Sequence, residues 1–368
     1  MRFSILVLAF ILVHFNSVAN EIDSLKGWER ELSKSDFSGS VVIAHAGKIK
    51  HQWHFGLSNR KENIAFNQST VHEIGSITKQ FVSVAILKLS EEGKLSLDDK
   101  IDKFFKNVPI DKRNITIHHL LTHSSGWQQN FGFIYDELEK NDLINKAFKA
   151  DLIFLPGNDF LYSNIGYSFL ALIIERVTDN GWEEYIHKNI LIPSSLSQTG
   201  FRLIKRDEKN LAISYGRDPN IIERFLNLKP KSRSIGHSMQ HYYDNPGGRW
   251  NMEGAGSFLS TIGDMFAWYQ VMRGKSLLTD KSWEKILTRH IPMNKKETEF
   301  YGYGWGLSDG YKGYKKIWHN GSNGYSLANV NYYPELDLMI FYATNNRDDS
   351  PTSRVENLDK IIISSLNK

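Results

Sequence analysis

The sequence predicts a mixed α/β protein: one mainly antiparallel sheet, flanked by helices and completed by both ends of the chain, with a helical domain inserted. Three observations carry that reading. Strand-like runs stand near the N-terminus, the middle is mostly helix and loop, and strand patterns return from Tyr301 before a final amphipathic helix. The expected division is a signal peptide over 1–19, an α/β domain over 20–110 and 255–368, and a mainly helical domain over 111–254.

The elements follow in order. Met1-Arg2, the apolar run from Phe3 to Phe15 and the small residues Ser17 and Ala19 have the form of a secretory signal cleaved after Ala19. That run is short for a membrane span, and a retained anchor is the alternative. From Ser38 to Ser58 the pattern is a hairpin: Val41, Val42 and Ile43, a turn near Ala46-Gly47-Lys48, then Ile49, Gln52, Trp53 and Phe55. A helix starts near Ser76, with Ser76 able to cap it and Phe81, Val84, Ala85 and Leu89 at helical spacing, and stops near Gly93. Further helical segments are expected around 115–122, 134–149, 165–178 and 182–190. Residues 217–250, with Pro219, Pro230, Pro246 and Gly247-Gly248, look like an irregular excursion. A helix from about Thr261 to Met272 precedes four strands, and Val355, Leu358, Ile361, Ile362 and Leu366 give the last helix a face that can pack on a sheet.

The 368 residues are enough for a large core, and 41% hydrophobic with 23% charged residues is the balance of a folded globular protein. The 45 basic and 41 acidic residues are dispersed, without the basic stripe that nucleic acid or an anionic surface requires. There is no cysteine, so disulfides, thiol nucleophiles and lipid attachment through cysteine are excluded. The expected location is the periplasm or the outside of the cell, with no integral membrane segment once the signal is removed.

Lys79 is the wrong sign for the first turn of a helix, which favours anions. Three residues after Ser76, however, its amine can reach the serine hydroxyl, and burial together with the positive helix end lowers a lysine pKa toward that of a base. Ser-x-x-Lys also occurs at Ser58, Ser282 and Ser365, so spacing alone does not select this copy. Tyr162-Ser163-Asn164 leads into an apolar helix: a phenol can relay a proton and an amide can hold a carbonyl or the lysine, while the bland alternative is a buried tyrosine with Asn164 as helix cap. Tyr-x-Asn recurs at Tyr243. His319-Asn320-Gly321 lies between two late strands, where a glycine admits close approach to the backbone and a nearby amide can serve an oxyanion; a glycine-rich turn is the alternative.

In order, Ser76-x-x-Lys79, Tyr162-x-Asn164 and His319-x-Gly321 resemble the three active-site motifs of the serine β-lactamase and penicillin-binding-protein superfamily, nearest to its class C branch and the related peptidases and esterases. LLTHSSGW (120–127), PGNDFLYSNIGYSFLALIIE (156–175), AGSFLSTIGDM (255–265) and YGYGWGL (301–307) extend the likeness over nearly the whole mature chain. The resemblance implies a β-lactamase-like fold. It also implies catalytic roles for Ser76 as nucleophile and for Lys79 and Tyr162 as proton carriers, with Asn164 orienting substrate and lysine and His319 facing the leaving group. The amides of Ser76 and Ser322, one residue past Gly321, would form the oxyanion hole.

No metal or cofactor is implied, and the partner is a small-molecule or peptide substrate. Histidine replaces the lysine that β-lactamases carry before the Thr-Gly, which favours a peptidase, amidase or esterase over strong β-lactam hydrolysis. A D,D-carboxypeptidase or weak β-lactamase, and a catalytically silent binder of peptidoglycan fragments, are the alternatives. His119 and His123, with His118 adjacent, have metal-like spacing but no acidic third ligand nearby, so a structural role is expected. Trp127, Trp250 and Trp305 are candidates for the cleft border, with core the commoner fate.

Overall fold

A computed structural model describes residues 25–132, 136–218, 221–228, 230–237, 248–347, 355 and 357–366. The expected signal segment lies outside them. The centre of the molecule is an eight-stranded sheet, antiparallel throughout, in the order Lys48–Phe55, Gly39–His45, Leu338–Thr344, Leu327–Tyr333, Lys315–Ser322, Gly306–Asp309, Glu299–Tyr301 and Ile291–Pro292. The expected mixed α/β class with an antiparallel sheet is therefore the observed one. The first hairpin closes through Ala46 and Gly47, both at positive φ (51° and 70°), with His45 opposite Lys48. Such a two-residue turn matches the right-handed twist of its strands.

Gly39–His45 and Leu338–Thr344 read as continuous apolar runs because both sheet faces are covered. Val42, Ala44, Met339 and Phe341 point into the main core, among Phe81, Trp268 and their neighbours. Val41, Ile43, Ile340 and Tyr342 point the other way, onto Leu25, Trp28 and Leu32 of an N-terminal helix and Leu358, Ile362 and Ile363 of the C-terminal helix Leu358–Leu366. Of the residues its sequence pattern marked, Val355, Leu358 and Ile362 are buried and Ile361 and Leu366 pack at the margin, while the buried Ile363 was not among them.

The inner face supports the helix Thr78–Glu91, locked to helix Ile262–Gly274 by stacking of Phe81 on Trp268 (4.3 Å between centroids) and a Trp268 Nε1 bond to Gln80. A short strand, His72–Glu73, pairs with Leu259–Ser260 and so holds the 255–260 segment against the entrance of that helix. Helix Asn164–Thr178 is buried behind it, and its apolar length (FLALII) is the reason.

Local boundaries depart from expectation where tertiary contacts intervene. The helix expected from 134 starts at Lys140, because Leu138 instead bridges to Arg249 and accepts from the Trp250 amide. Trp182–Ile186 continues as a π-turn over His187–Leu191. Within 217–250, a short helix Ile221–Phe225 and a strand Arg233–Gly236, paired with Ser214–Gly216, are regular. Trp127, Trp250 and Trp305 are buried core rather than cleft border.

Candidate active site

Ser76 does not cap the helix. It sits in a 3₁₀ turn, Gly75–Ile77, that feeds the α-helix at Thr78, whose N-cap Ile77 has no side-chain bond. Thr78 does the local work instead: its hydroxyl donates to the Gly75 carbonyl (2.7 Å) and accepts from the Phe258 amide (3.0 Å). The Ser76 hydroxyl is thereby left to Lys79.

Lys79 is fully buried, with Nζ 3.1 Å from Ser76 Oγ, 2.7 Å from Asn164 Oδ1 and 2.5 Å from the Ala255 carbonyl. Burial pushes its pKa well below the usual lysine value. The partner set fixes what a neutral amine must do. Carbonyl oxygens only accept, so the two N–H bonds go to Asn164 and Ala255, and the lone pair faces the Ser76 hydroxyl. Asn164 is held in turn through Nδ2, which donates to Asn130 Oδ1 (2.8 Å). Ser163, not Asn164, caps the following helix, by accepting from the Gly166 amide (3.3 Å), which releases the Asn164 side chain to the site.

Tyr162 lies with its ring centroid 4.8 Å from the Lys79 nitrogen. Its hydroxyl is buried and has no settled hydrogen-bond partner. Burial pushes its pKa upward, with the Ser76 hydroxyl beside it pulling the other way, so it stays a neutral phenol. It can pass a proton on but does not stand as a tyrosinate.

His319 reaches the same cluster from strand Lys315–Ser322, its ring 6.3 Å from that of Tyr162. Its Nδ1 is 2.6 Å from the Asn320 carbonyl, which can only accept, so Nδ1 carries the proton and Nε2 accepts from the Tyr301 hydroxyl (2.9 Å). Burial pushes its pKa down to about 3. At neutral pH His319 carries no charge.

Gly321 explains how that strand approaches the nucleophile. A Cβ there would lie 2.7 Å from the Ser76 nitrogen and overlap the Ile74 carbonyl; a Cβ on Gly75, at φ +49°, would meet the Ser322 nitrogen at 2.6 Å. Two glycines thus bring the Ser76 and Ser322 amides to one place. The turn after Ser322 is pinned by Asn323, which donates to the buried Glu73 carboxylate and accepts from the amides of Tyr325 (2.8 Å) and Ser326 (2.7 Å).

All seven residues singled out by sequence, Ser76, Lys79, Tyr162, Asn164, His319, Gly321 and Ser322, therefore meet around one point. Sequence reasoning did not find the Ala255 carbonyl, Asn130, Tyr301, Glu73 or Asn323; Ala255 and Tyr301 open two of the quoted segments, AGSFLS and YGYGWGL, and that was their only signal. The histidines at 118, 119 and 123 hold separate partners, the Tyr303 hydroxyl (2.8 Å) and the amides of Thr116 (3.2 Å) and Ser163 (3.0 Å). Among the described residues no group of three or more His, Asp or Glu could hold a metal.

Fold and residue set together define a class, the β-lactamase and penicillin-binding-protein-like serine hydrolases. The chain belongs to the Beta-lactamase family, whose model matches residues 26–362. It is similar to penicillin-binding protein 4* of Bacillus subtilis (strain 168), 25% identical over 329 residues that cover 86% of this chain and 70% of that protein. Protein flp of Staphylococcus aureus (strain COL) is 32% identical over 225 residues, 58% of this chain and 45% of that relative, so the chain spans less than half of it. Among solved structures, the octameric penicillin-binding protein homologue from Pyrococcus abyssi aligns with a TM-score of 0.77 at 25% identity, covering 94% of this chain and 77% of that one. A D-stereospecific amidohydrolase from Streptomyces sp. shares the fold, with a TM-score of 0.71 at 19% identity over 92% of this chain and 97% of its own.

Proposed function

We propose that this chain is an exported serine hydrolase that cleaves an amide or ester bond through an acyl-Ser76 intermediate. The observation that carries the reading is the buried Lys79 amine, whose two other partners accept only and so direct its lone pair at Ser76. Ser76 Oγ attacks the substrate carbonyl as its proton passes to Lys79, and the developing oxyanion meets the Ser76 and Ser322 amides. Tyr162 carries the proton on to the leaving amine or alcohol. Water then attacks the acyl-enzyme, giving up its proton by the same route, and releases the acid and free Ser76.

The neutral His319 bears on the substrate. A carboxylate beside the scissile bond gains little from an uncharged imidazole already committed to Asn320 and Tyr301, so esters and amides without that carboxylate fit best. A second reading, a D,D-carboxypeptidase or weak β-lactamase, needs a cation where the substrate carboxylate would lie; Arg347 approaches Ser322 Oγ (3.5 Å) on the sheet face that carries Asn320, away from His319. The experiment pairs a chromogenic short-chain ester with a fluorescent penicillin, on wild type and Ser76→Ala. Ester turnover lost in the variant, with little penicillin label, supports the main reading. Persistent label on Ser76 favours the second, and reaction with neither leaves a protein that only binds. Export is tested by fractionating cells that express the full chain and looking for loss of the first 19 residues.

A further inference from the structure

Tyr162 presents a problem of its own. Its buried hydroxyl has only the Ser76 hydroxyl beside it, the group whose proton it must pass, so no scaffold residue anchors the polar end of the side chain. Its position has to come from the backbone on either side and from whatever packs on its ring.

One residue supplies both. The His123 carbonyl accepts from the Leu161 amide (3.0 Å), its Nδ1 accepts from the Ser163 amide (3.0 Å), and its ring lies on the Tyr162 ring at 4.2 Å between centroids, tilted 38°. The clamp needs an unusual backbone: His123 is at φ +59°, the left-handed region, and this turns its carbonyl and its ring to the same stretch of chain. We propose that His123 is a positioning residue for catalysis, holding Tyr162 by both flanking amides and by its ring face. The inference rests on Tyr162 having the proton-carrying role given above.

The chemistry of the clamp requires a neutral imidazole. Nδ1 accepts from an amide, so the single ring proton is on Nε2, which is buried and meets no acceptor. The groups facing the ring are Lys79 from the nucleophile helix, Tyr162 and Tyr167, Tyr301 from strand Glu299–Tyr301, and His319. Burial pushes the His123 pKa well below the ordinary value, so the acceptor at Nδ1 is kept at working pH. A histidine serving only as filler in an apolar pocket gains nothing from carrying an unsatisfied N–H there; an acceptor at Nδ1 accounts for it.

The test is a double-mutant cycle on kcat for the chromogenic ester, with melting curves to show that each variant is folded. His123→Ala is expected to lower kcat about 30-fold with KM nearly unchanged, a part of what a positioned acid–base group contributes. In a Tyr162→Phe background the same change is expected to cost less than about 3-fold, since there is no phenol left to position. His123→Asn keeps an acceptor at the equivalent atom and tolerates the left-handed backbone, and is expected to restore most of the loss. Should His123→Ala not fold, His123→Gln, which displaces the acceptor by one bond, takes its place in the cycle. Equal losses in both backgrounds, or an Asn variant no better than Ala, overturn the proposal. A Tyr162→Phe enzyme with unchanged kcat removes Tyr162 from the mechanism, and the clamp's catalytic role with it, while leaving Ser76 and Lys79 in place.

Discussion

The buried Glu73 carboxylate accepts from the Asn323 side-chain amide, joining the residue three before Ser76 to the residue after Ser322. The Ser76 and Ser322 amides, proposed to hold the oxyanion, come from chain segments about 250 residues apart, and this bond is a direct tie between those segments. Removing it by Asn323→Ala also frees the amides of Tyr325 and Ser326. The expected result is a kcat lowered by about 10 to 100-fold, approaching the loss of an oxyanion donor. Stability should fall by about 1–3 kcal/mol for a buried carboxylate left short of a partner. Ester kinetics and urea unfolding measure the two; a variant with wild-type kcat dissociates the tie from catalysis.

In the proposed mechanism Lys79 sets the pH dependence of the acylation step. It works as a base only when neutral, and burial lowers its pKa, so kcat/KM rises with pH through a value well below that of a free lysine and then levels off. Lys79→Ala should lose roughly 10²–10⁴-fold in kcat, the range for a positioned base. Lys79→Arg, whose guanidinium stays charged, should do no better. A rate that keeps climbing to pH 10 in the wild type means the lysine remains charged in the folded enzyme.

At Gly321 the constraint is steric and therefore sharp. A methyl group there collides with the Ile74 carbonyl and crowds the Ser76 nitrogen, both of them backbone, so neither can swing aside. Gly321→Ala is expected to push strand Lys315–Ser322 away from the nucleophile turn and cost at least about 100-fold in kcat, comparable to an oxyanion donor displaced by 1 Å. Asn320→Ala, one residue earlier and exposed on the opposite side of the strand, should stay within a few-fold of wild type. Steady-state kinetics on the pair decide it; similar losses at both positions point to general disruption of the strand.

How far the sequence reached depends on the kind of interaction. Val41 to Ile43 and Leu338 to Thr344 declare a buried sheet because β-branched and aromatic runs have few other uses, and Ser76 and Lys79 are near neighbours whose meeting follows from one turn of helix. Asn164 was ambiguous because cap and ligand holder look alike in sequence; only the presence of Ser163 as the actual cap separates them. The Ala255 carbonyl has no side-chain signature at all, and the bond from Asn323 to Glu73 spans a sequence separation that no local pattern reports. The spacing of His123 from His119 is that of a metal pair, whereas what distinguishes His123, a positive φ and an acceptor for Ser163, is conformational.

Three buried neutral histidines make the fold sensitive to mild acid. His72 and His319 have pKa values pushed down to about 3, mainly by burial, and His123 is pushed down in the same direction. In the unfolded chain each returns to about 6.5. Between those limits the unfolded state binds protons that the folded state refuses, so the stability they contribute is complete above about pH 6.5 and is lost as pH falls toward 3. The slope is about 1.4 kcal/mol per pH unit for each histidine. Carboxylates add their own loss lower down, so the interval from pH 6.5 to 5 is the informative one. Urea unfolding across it should show a steep decline, flattened in His72→Asn and again in His319→Gln, which keeps an acceptor for Tyr301. A stability that stays level over that interval means the rings are protonated or exposed in the folded protein, and the neutral His319 that disfavours a substrate carboxylate would go with it.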